Sequence, residues 1–388
     1  LHIAIDAHSV GAGLGGNESY IANLIEALAE IDTENRYTLY VTRREAVERF
    51  TGRWPHVLVR LTWPHTPLVR IPLTLSAELR RRPVDLLHVQ YTAPPLAPCA
   101  VVATIHDLSF EHLPETFKRR SRAQLRLTVR RTARMARAII APSEYSRRDL
   151  IETYDLPPER VMVTPLSAAP HLAPVTDEGE RRRVRELYGI SGDYILAVGA
   201  IQPRKNLVRL IEAYADLRDA RSQDKLPQLL LVGGRGWLYG ETMSAVNLRS
   251  NNGDIRFTGY VREEDLPALY TDALCFVYPS YFEGFGLPVL EAMACGAPVV
   301  AGNRTSLPEV VADAGLLVDP FDKSELARAI GRIIDDASLR RKLRARGLER
   351  AREFSWRETA RLTLEVYERA ARSNRARRTA SKIAGLKI

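Results

Sequence analysis

"ALCFVYPSYFEGFGLPVLEAMACGAPVVAG", residues 273–302, decides the fold. Its first apolar run, "ALCFVYPS", reads as a buried strand ending near Ser280, after which the glycines mark a loop. Pro288 suits the first turn of a helix starting at about Leu287, because the N–H it lacks would be unpaired there anyway. "PVVAG" then reads as a second buried strand. Continuous apolar strands on either side of a helix are the unit of a parallel sheet covered on both faces.

The same alternation extends in both directions. Toward the N-terminus lie "HIAID", "YTLYVT", "VLVRL", "DLLHV", "VVATIH", "AIIAPS" and "VMVTP"; the second half holds "YILAVG", "QLLLVGG", "IRFTGY", "ALCFVYPS", "PVVAG" and "GLLVD". Helices are expected at Ser19–Ile31, Leu207–Leu217, Leu266–Asp272, Ser324–Asp335, Leu339–Glu353 and about Trp356 to Arg372. The alternation pauses once, at "SAAPHLAPVTDEGERRR" (167–183), a polar, proline-bearing linker. Two α/β domains of the Rossmann type, facing a cleft, are expected. The first covers residues 1–170 and the second 171–356, with the last helix, 357–388, returning to the first domain.

A chain of 388 residues has room for two cores. No run approaches the roughly 18–20 apolar residues of a membrane span. The chain opens directly into a strand-like segment, so neither signal nor transit peptide is expected. Cys99, Cys275 and Cys295 have no metal-ligand spacing, and the latter two sit in apolar runs, which fits a reducing, cytoplasmic setting. The net charge of +9 is uneven: residues 118–148 are rich in Arg, with Glu144 their single acid. Such a balance favours an anionic partner. Aromatics are not interleaved with the Arg run, so a nucleic-acid partner is not expected.

Candidate chemistry begins in the opening stretch. Glu283 projects from the loop at the sheet's mouth, and Glu291 lies about one turn into the helix. Between them, the N–H groups of Phe285, Gly286 and Leu287 face the positive end of the helix dipole, where an anion binds. In "VGAIQPRKNLVRLIEAY" (198–214), Arg204 and Lys205 follow a buried strand, at the end where open sheets bind ligands. Arg grips a phosphate bidentately and Lys adds a point charge, although such a pair is also common as a solvated surface feature. His106, in "ATIHDL", stands at another strand's carboxyl end, as a structural histidine or as a site residue; His8, His88 and His112 have no comparable support.

"VGAGLGGNESY" (10–20) holds Gly11-x-Gly13-x-x-Gly16, the spacing of a dinucleotide loop. Four residues, Ala7 to Val10, separate it from the strand end, however, and the second strand ends in Arg43 and Arg44 rather than an acid. An NADP-dependent oxidoreductase using this loop is the alternative reading. Otherwise the glycines serve either close backbone approach to a ligand or a plain surface loop.

"EGFGLPVLEAMACGAPVV", "PRKNL", "GGNESY" and "TIHDL" together resemble the retaining, nucleotide-sugar-dependent glycosyltransferases of family 4, which have the GT-B fold. The likeness runs from the first strand to "FSWRETARLTLEVY". It implies that Glu283 holds the donor sugar and Glu291 the ribose hydroxyls. Phe285, Gly286 and Leu287 lie beneath sugar and phosphate, and Arg204 and Lys205 bind the diphosphate. Gly15 and Gly16 reach the donor, and His106 stands near the transferred sugar. Two positions depart from the pattern: Ala200 stands where many relatives carry an arginine, and Ser167 where glycine is common.

The sequence contains no Asp-x-Asp, so transfer without a metal or other cofactor is expected. The resemblance implies retention at the anomeric carbon. No obvious nucleophile faces that carbon, so front-side attack is expected, the leaving phosphate accepting the acceptor's proton. "PRKN" places the chain beside bacterial mannosyl- and rhamnosyltransferases of surface polysaccharide assembly, with GDP-mannose the donor favoured and a glycan or lipid-linked acceptor. Residues 118–138 form an Arg-rich helix with Leu125, Val129 and Ala133 on one face, suited to an anionic membrane surface.

Overall fold

A computed structural model describes residues 1–385, apart from 14, 222–225, 235, 237 and 252; for 373–385 it describes the backbone alone. The chain divides into two units, Leu1–Leu166 with Trp356–Ile388, and Ser167–Ser355. The boundaries thus fall at 166/167 and 355/356 rather than at 170/171 and 356/357.

Unit 1 carries seven strands: β1 (His2–Asp6), β2 (Arg36–Val41), β3 (Val57–Leu61), β4 (Leu86–Gln90), β5 (Ala100–Thr104), β6 (Ala138–Ala141) and β7 (Val161–Val163). They are all parallel, in the order β3-β2-β1-β4-β5-β6-β7. Unit 2 carries six: β8 (Tyr194–Val198), β9 (Gln228–Val232), β10 (Ile255–Gly259), β11 (Cys275–Tyr278), β12 (Val299–Gly302) and β13 (Gly315–Val318). These too are parallel, in the order β10-β9-β8-β11-β12-β13. Every apolar run named from the sequence is therefore a strand. Their Val/Ile/Leu content reflects helices on both faces: β4, β5 and β6 are buried along their whole length.

Each sheet grows first one way and then the other. The reversal lies between β1 and β4 in unit 1 and between β8 and β11 in unit 2. At such a switch point the flanking connections diverge and leave a crevice outside the strands' carboxyl ends. Four helices carry or adjoin the candidate residues: α1 (Gly16–Ile31), α2 (Arg119–Met135), α3 (Leu207–Asp219) and α4 (Leu287–Ala294). A fifth, α5 (Trp356–Gly385), packs in unit 1 against α1 and β4–β6. It runs past the Arg372 expected as its end.

Buried Tyr367 of α5 donates to or accepts from His88 Nδ1 at 2.7 Å, and His88 Nε2 lies 2.8 Å from Thr104 Oγ1. Burial, with a smaller contribution from His106, pushes His88 down to about 3, so it is a neutral internal connector.

Candidate active site

The unit 2 switch point assembles its charged cluster from two loops. Asn206, at φ +58°, turns the segment after β8 into α3, a left-handed conformation that Asn tolerates better than most residues. Its side-chain amide donates to the carbonyls of Pro279 (3.1 Å) and Pro320 (2.6 Å), and Tyr281 N–H donates to the Arg204 carbonyl at 3.1 Å. These bonds hold Arg204 and Lys205 beside the loop after β11.

Glu283 lies at the centre of that loop, only 6% exposed. Its Oε2 is 2.7 Å from Arg204 Nη1, and its Oε1 is 2.7 Å from Lys205 Nζ. Oε1 also accepts from the hydroxyls of Ser280 (2.7 Å) and Tyr278 (3.0 Å). The backbone is braced from behind: Thr305 Oγ1 accepts from Glu283 N–H at 3.0 Å, and Ser306 Oγ donates to the Glu283 carbonyl at 2.9 Å. Burial works to raise the carboxyl's pKa, but the Arg204 and Lys205 charges and the hydrogen bonds outweigh it, leaving about 2. Glu283 is therefore a fixed anion. The lysine also sits over the Tyr278 ring, 4.6 Å from its centroid.

The following turn opens α4 as the sequence indicates, with the helix starting at Leu287. Gly286 adopts φ +100°, a conformation that favours glycine. The N–H groups of Phe285, Gly286 and Leu287 make no hydrogen bond among the described residues, while Val289 N–H is used by the Gly286 carbonyl. Unpaired amides at a helix's positive end attract an anion. Glu291, one turn on, accepts from the Tyr270 hydroxyl at 3.2 Å. Desolvation pushes its pKa up to about 7 against that bond, so it titrates near neutrality while Glu283 does not. The structure thus brings Arg204, Lys205, Glu283, Phe285, Gly286, Leu287 and Glu291 to one switch point. Tyr278, Ser280, Thr305 and Ser306 were not singled out from the sequence; their only signal was position at a strand end.

Unit 1 holds the remaining candidates. Gly15 caps α1 at φ +56°, and a Cβ at Gly15 or Gly16 would meet nothing within 4 Å, so backbone faces open space there. Gly11 N–H is taken by the Glu18 carboxylate at 2.7 Å. That acid in the first turn occupies the end of α1 where a dinucleotide's pyrophosphate would bind. His106 lies at the unit 1 switch-point side, its Nε2 3.0 Å from Gln90 Oε1, its ring edge-on to Tyr20 at 4.7 Å. Burial, opposed by the Asp107 charge, pushes it down to about 4, so it is neutral. Among the described residues no group of three or more His, Cys, Asp or Glu side chains is arranged to hold a metal ion.

Comparison with known proteins identifies the family and the fold. The sequence model for glycosyl transferases group 1 matches residues 184–350, and that for glycosyltransferase family 4 matches 14–167. An Escherichia coli O-antigen chain mannosyltransferase B is 38% identical over 268 residues, 69% of this chain and 70% of the relative. The chain is also 37% identical over 252 residues to a D-inositol 3-phosphate glycosyltransferase from Salinispora tropica, but spans only 52% of that protein. Of the serotype-specific mannosyltransferase WbdA it spans 29%, at 33% identity. Among solved structures, a sucrose-phosphate synthase from Thermosynechococcus elongatus gives a TM-score of 0.73 at 22% identity, covering 95% of this chain and 98% of that one. Anabaena HepE, in complex with UDP and glucose, gives 0.74 at 21% identity, covering 95% and 99%. The oxidoreductase alternative drawn from Gly11, Gly13, Gly16, Arg43 and Arg44 has no support in any of these. The chain belongs to the family 4 (group 1) glycosyltransferases, and is a hexosyltransferase with the GT-B fold.

Proposed function

We propose that this enzyme moves a hexose, with GDP-mannose the preferred donor, onto a glycan or lipid-linked acceptor of surface polysaccharide or glycolipid synthesis. The observation that carries the donor half is the Arg204–Glu283–Lys205 cluster beside the unpaired amides of Phe285, Gly286 and Leu287. Cations and helix-end N–H groups pre-set around one point stabilise negative charge as it develops on a leaving diphosphate. Glu283 orients the sugar hydroxyls and holds the two cations in place. Glu291 accepts from the ribose hydroxyls. The mannosyl preference is supported by the 38% identity to an O-antigen chain mannosyltransferase B.

Transfer is proposed to retain configuration and to need no divalent metal, since Arg204 and Lys205 supply the neutralising charge and the sequence lacks Asp-x-Asp. The bond from the anomeric carbon to the phosphate oxygen breaks, and the acceptor oxygen bonds to the same face. The acceptor's proton passes to the departing phosphate oxygen. In unit 1, we propose Gly15 and Gly16 as backbone contacts to substrate, where a Cβ would meet nothing within 4 Å, and His106 as a ring that meets a substrate hydroxyl. A thermal-shift panel of GDP, UDP, ADP and dTDP, then of their sugars, tests the donor. Stabilisation by GDP and GDP-mannose above the others is expected, and no stabilisation by any nucleotide would refute the site.

For the acceptor side we propose a peripheral contact with anionic membrane at the cytoplasmic face. Lys118, Arg119, Arg120, Arg130 and Arg134 are exposed on or beside α2. In the same unit Trp63 is 76% exposed and Leu127 73%. Leu75 and Leu79 share a core with Val129 and Ala133, so the segment leading from β3 packs on the sheet face that carries α2. No helix among the described residues is long and apolar enough to cross a membrane.

A further inference from the structure

At the unit 1 switch point a chain of hydrogen bonds runs from α1 to His106. Ser9 Oγ donates to the Asn17 carbonyl at 3.4 Å. A hydroxyl has one proton, so with that proton spent Ser9 Oγ accepts from Gln90 Nε2, 3.1 Å away. This fixes the orientation of the amide and turns Gln90 Oε1 toward His106 Nε2, at 3.0 Å. An amide oxygen only accepts, so the proton of the neutral imidazole resides on Nε2. Nδ1 is left with a lone pair, makes no hydrogen bond among the described residues, and is not sealed from solvent.

The ring has little freedom to escape this arrangement. Tyr20 meets it edge-on at 4.7 Å and Tyr91 lies at 5.7 Å, while the His106 carbonyl accepts from Ser146 Oγ at 3.0 Å. Tyr20 is itself held, its hydroxyl 2.8 Å from Thr104 Oγ1. Asn17 belongs to the first turn of α1, immediately after Gly15 and Gly16.

We propose that Gln90 is a positioning residue that locks His106 as the Nε2–H tautomer, presenting Nδ1 as the acceptor for a substrate hydroxyl, and that Ser9 ties this lock to the Gly15–Gly16 end of α1. The proposal rests on the reading of His106 as a site residue. An inverted Gln90 amide would point its NH2 at Nε2, move the proton to Nδ1, and present a donor where an acceptor is needed.

The test is ¹⁵N NMR of the full chain labelled at histidine, with the His106 signals identified by their loss in His106→Ala. The wild type is expected to show a pyrrole-type Nε2 and a pyridine-type Nδ1. Gln90→Leu should mix the tautomers and lower kcat about tenfold, the worth of about one hydrogen bond, with donor KM little changed. Ser9→Ala, a smaller change that carries the test should Gln90→Leu fail to fold, should mix them too. A wild-type Nδ1–H pattern, or unaltered tautomer and kcat in the variants, overturns the lock. Full turnover in His106→Ala beside the expected spectrum overturns instead the site role of His106.

Discussion

Lys205 Nζ stands 2.7 Å from Glu283 Oε1, joining the loop after β8 to the loop after β11 across the switch point of the second sheet. With Arg204 on the other carboxylate oxygen, the pair gives the buried loop a fixed negative centre flanked by two cations. The proposed donor chemistry of this unit rests on that centre, and its ion pairs bear on the unit's stability.

Acid should expose the first consequence. The Glu283 carboxyl falls from 4.5 to about 2 on folding. A depressed carboxyl contributes stability above its unfolded pKa, here about 3 kcal/mol, which is lost as pH falls from 4.5 through 2. Urea unfolding from pH 6 to pH 3 should show the loss in wild type, and a flatter profile in Glu283→Gln. Equal profiles would refute the ion pair's contribution.

Glu291 has the opposite sign. Its pKa is raised to about 7, so ionisation is a cost to the fold above that pH and the cost is relieved as pH falls. The proposed contact of Glu291 with the ribose hydroxyls calls for the ionised form. Donor KM should therefore rise below pH 7, approaching about tenfold per unit. Glu291→Gln should raise KM about tenfold at pH 8, the value of a hydrogen bond to a charged group, and remove the pH slope. The same slope in the variant would exclude Glu291 as its source.

Gly286→Ala tests the turn that opens α4. The residue sits at φ +100°, and an added Cβ would lie 2.5 Å from Leu307 Cδ2, whose side chain is fully buried. A loss of about 1–3 kcal/mol is expected from backbone strain alone. Calorimetry should record a lower Tm, and donor KM should rise as the amides of Phe285 and Leu287 shift. An unchanged Tm would contradict the assigned turn.

Vesicle co-sedimentation tests the membrane contact. Replacing Arg119, Arg120, Arg130 and Arg134 by Gln removes four charges worth about 1 kcal/mol each near an anionic surface. Binding to vesicles containing anionic lipid should fall by more than tenfold. Wild-type binding that ignores anionic lipid would refute the contact.

The fold was legible because its strands are short, apolar and separated by helices, a pattern that survives in sequence order. Pro288 marked the start of α4 correctly. The helix expected from Ser19 begins at Gly16, because backbone hydrogen bonding at Gly15 outweighs glycine's weak propensity. The helix from Trp356 outruns Arg372, since a basic segment carries no apolar period by which to trace it. Glu283, Arg204 and Lys205 could be named as separate groups, but not their mutual ion pairs. Those join residues 78 and 79 apart in sequence, and the sheet order that makes them neighbours is not written in either loop. Gln90 was silent for the same reason: its partner His106 lies one strand away, 16 residues on.

The most direct measurement is transfer of labelled mannose from GDP-mannose to a glycan acceptor by wild type, Lys205→Ala and Glu283→Ala, each first shown by circular dichroism to be folded. Removing one preorganised charge-stabilising group costs about 10²–10³ in kcat. Wild-type transfer with each variant down by at least that factor is expected. Near-normal turnover in either folded variant would contradict the assignment of catalysis to the Arg204–Glu283–Lys205 cluster.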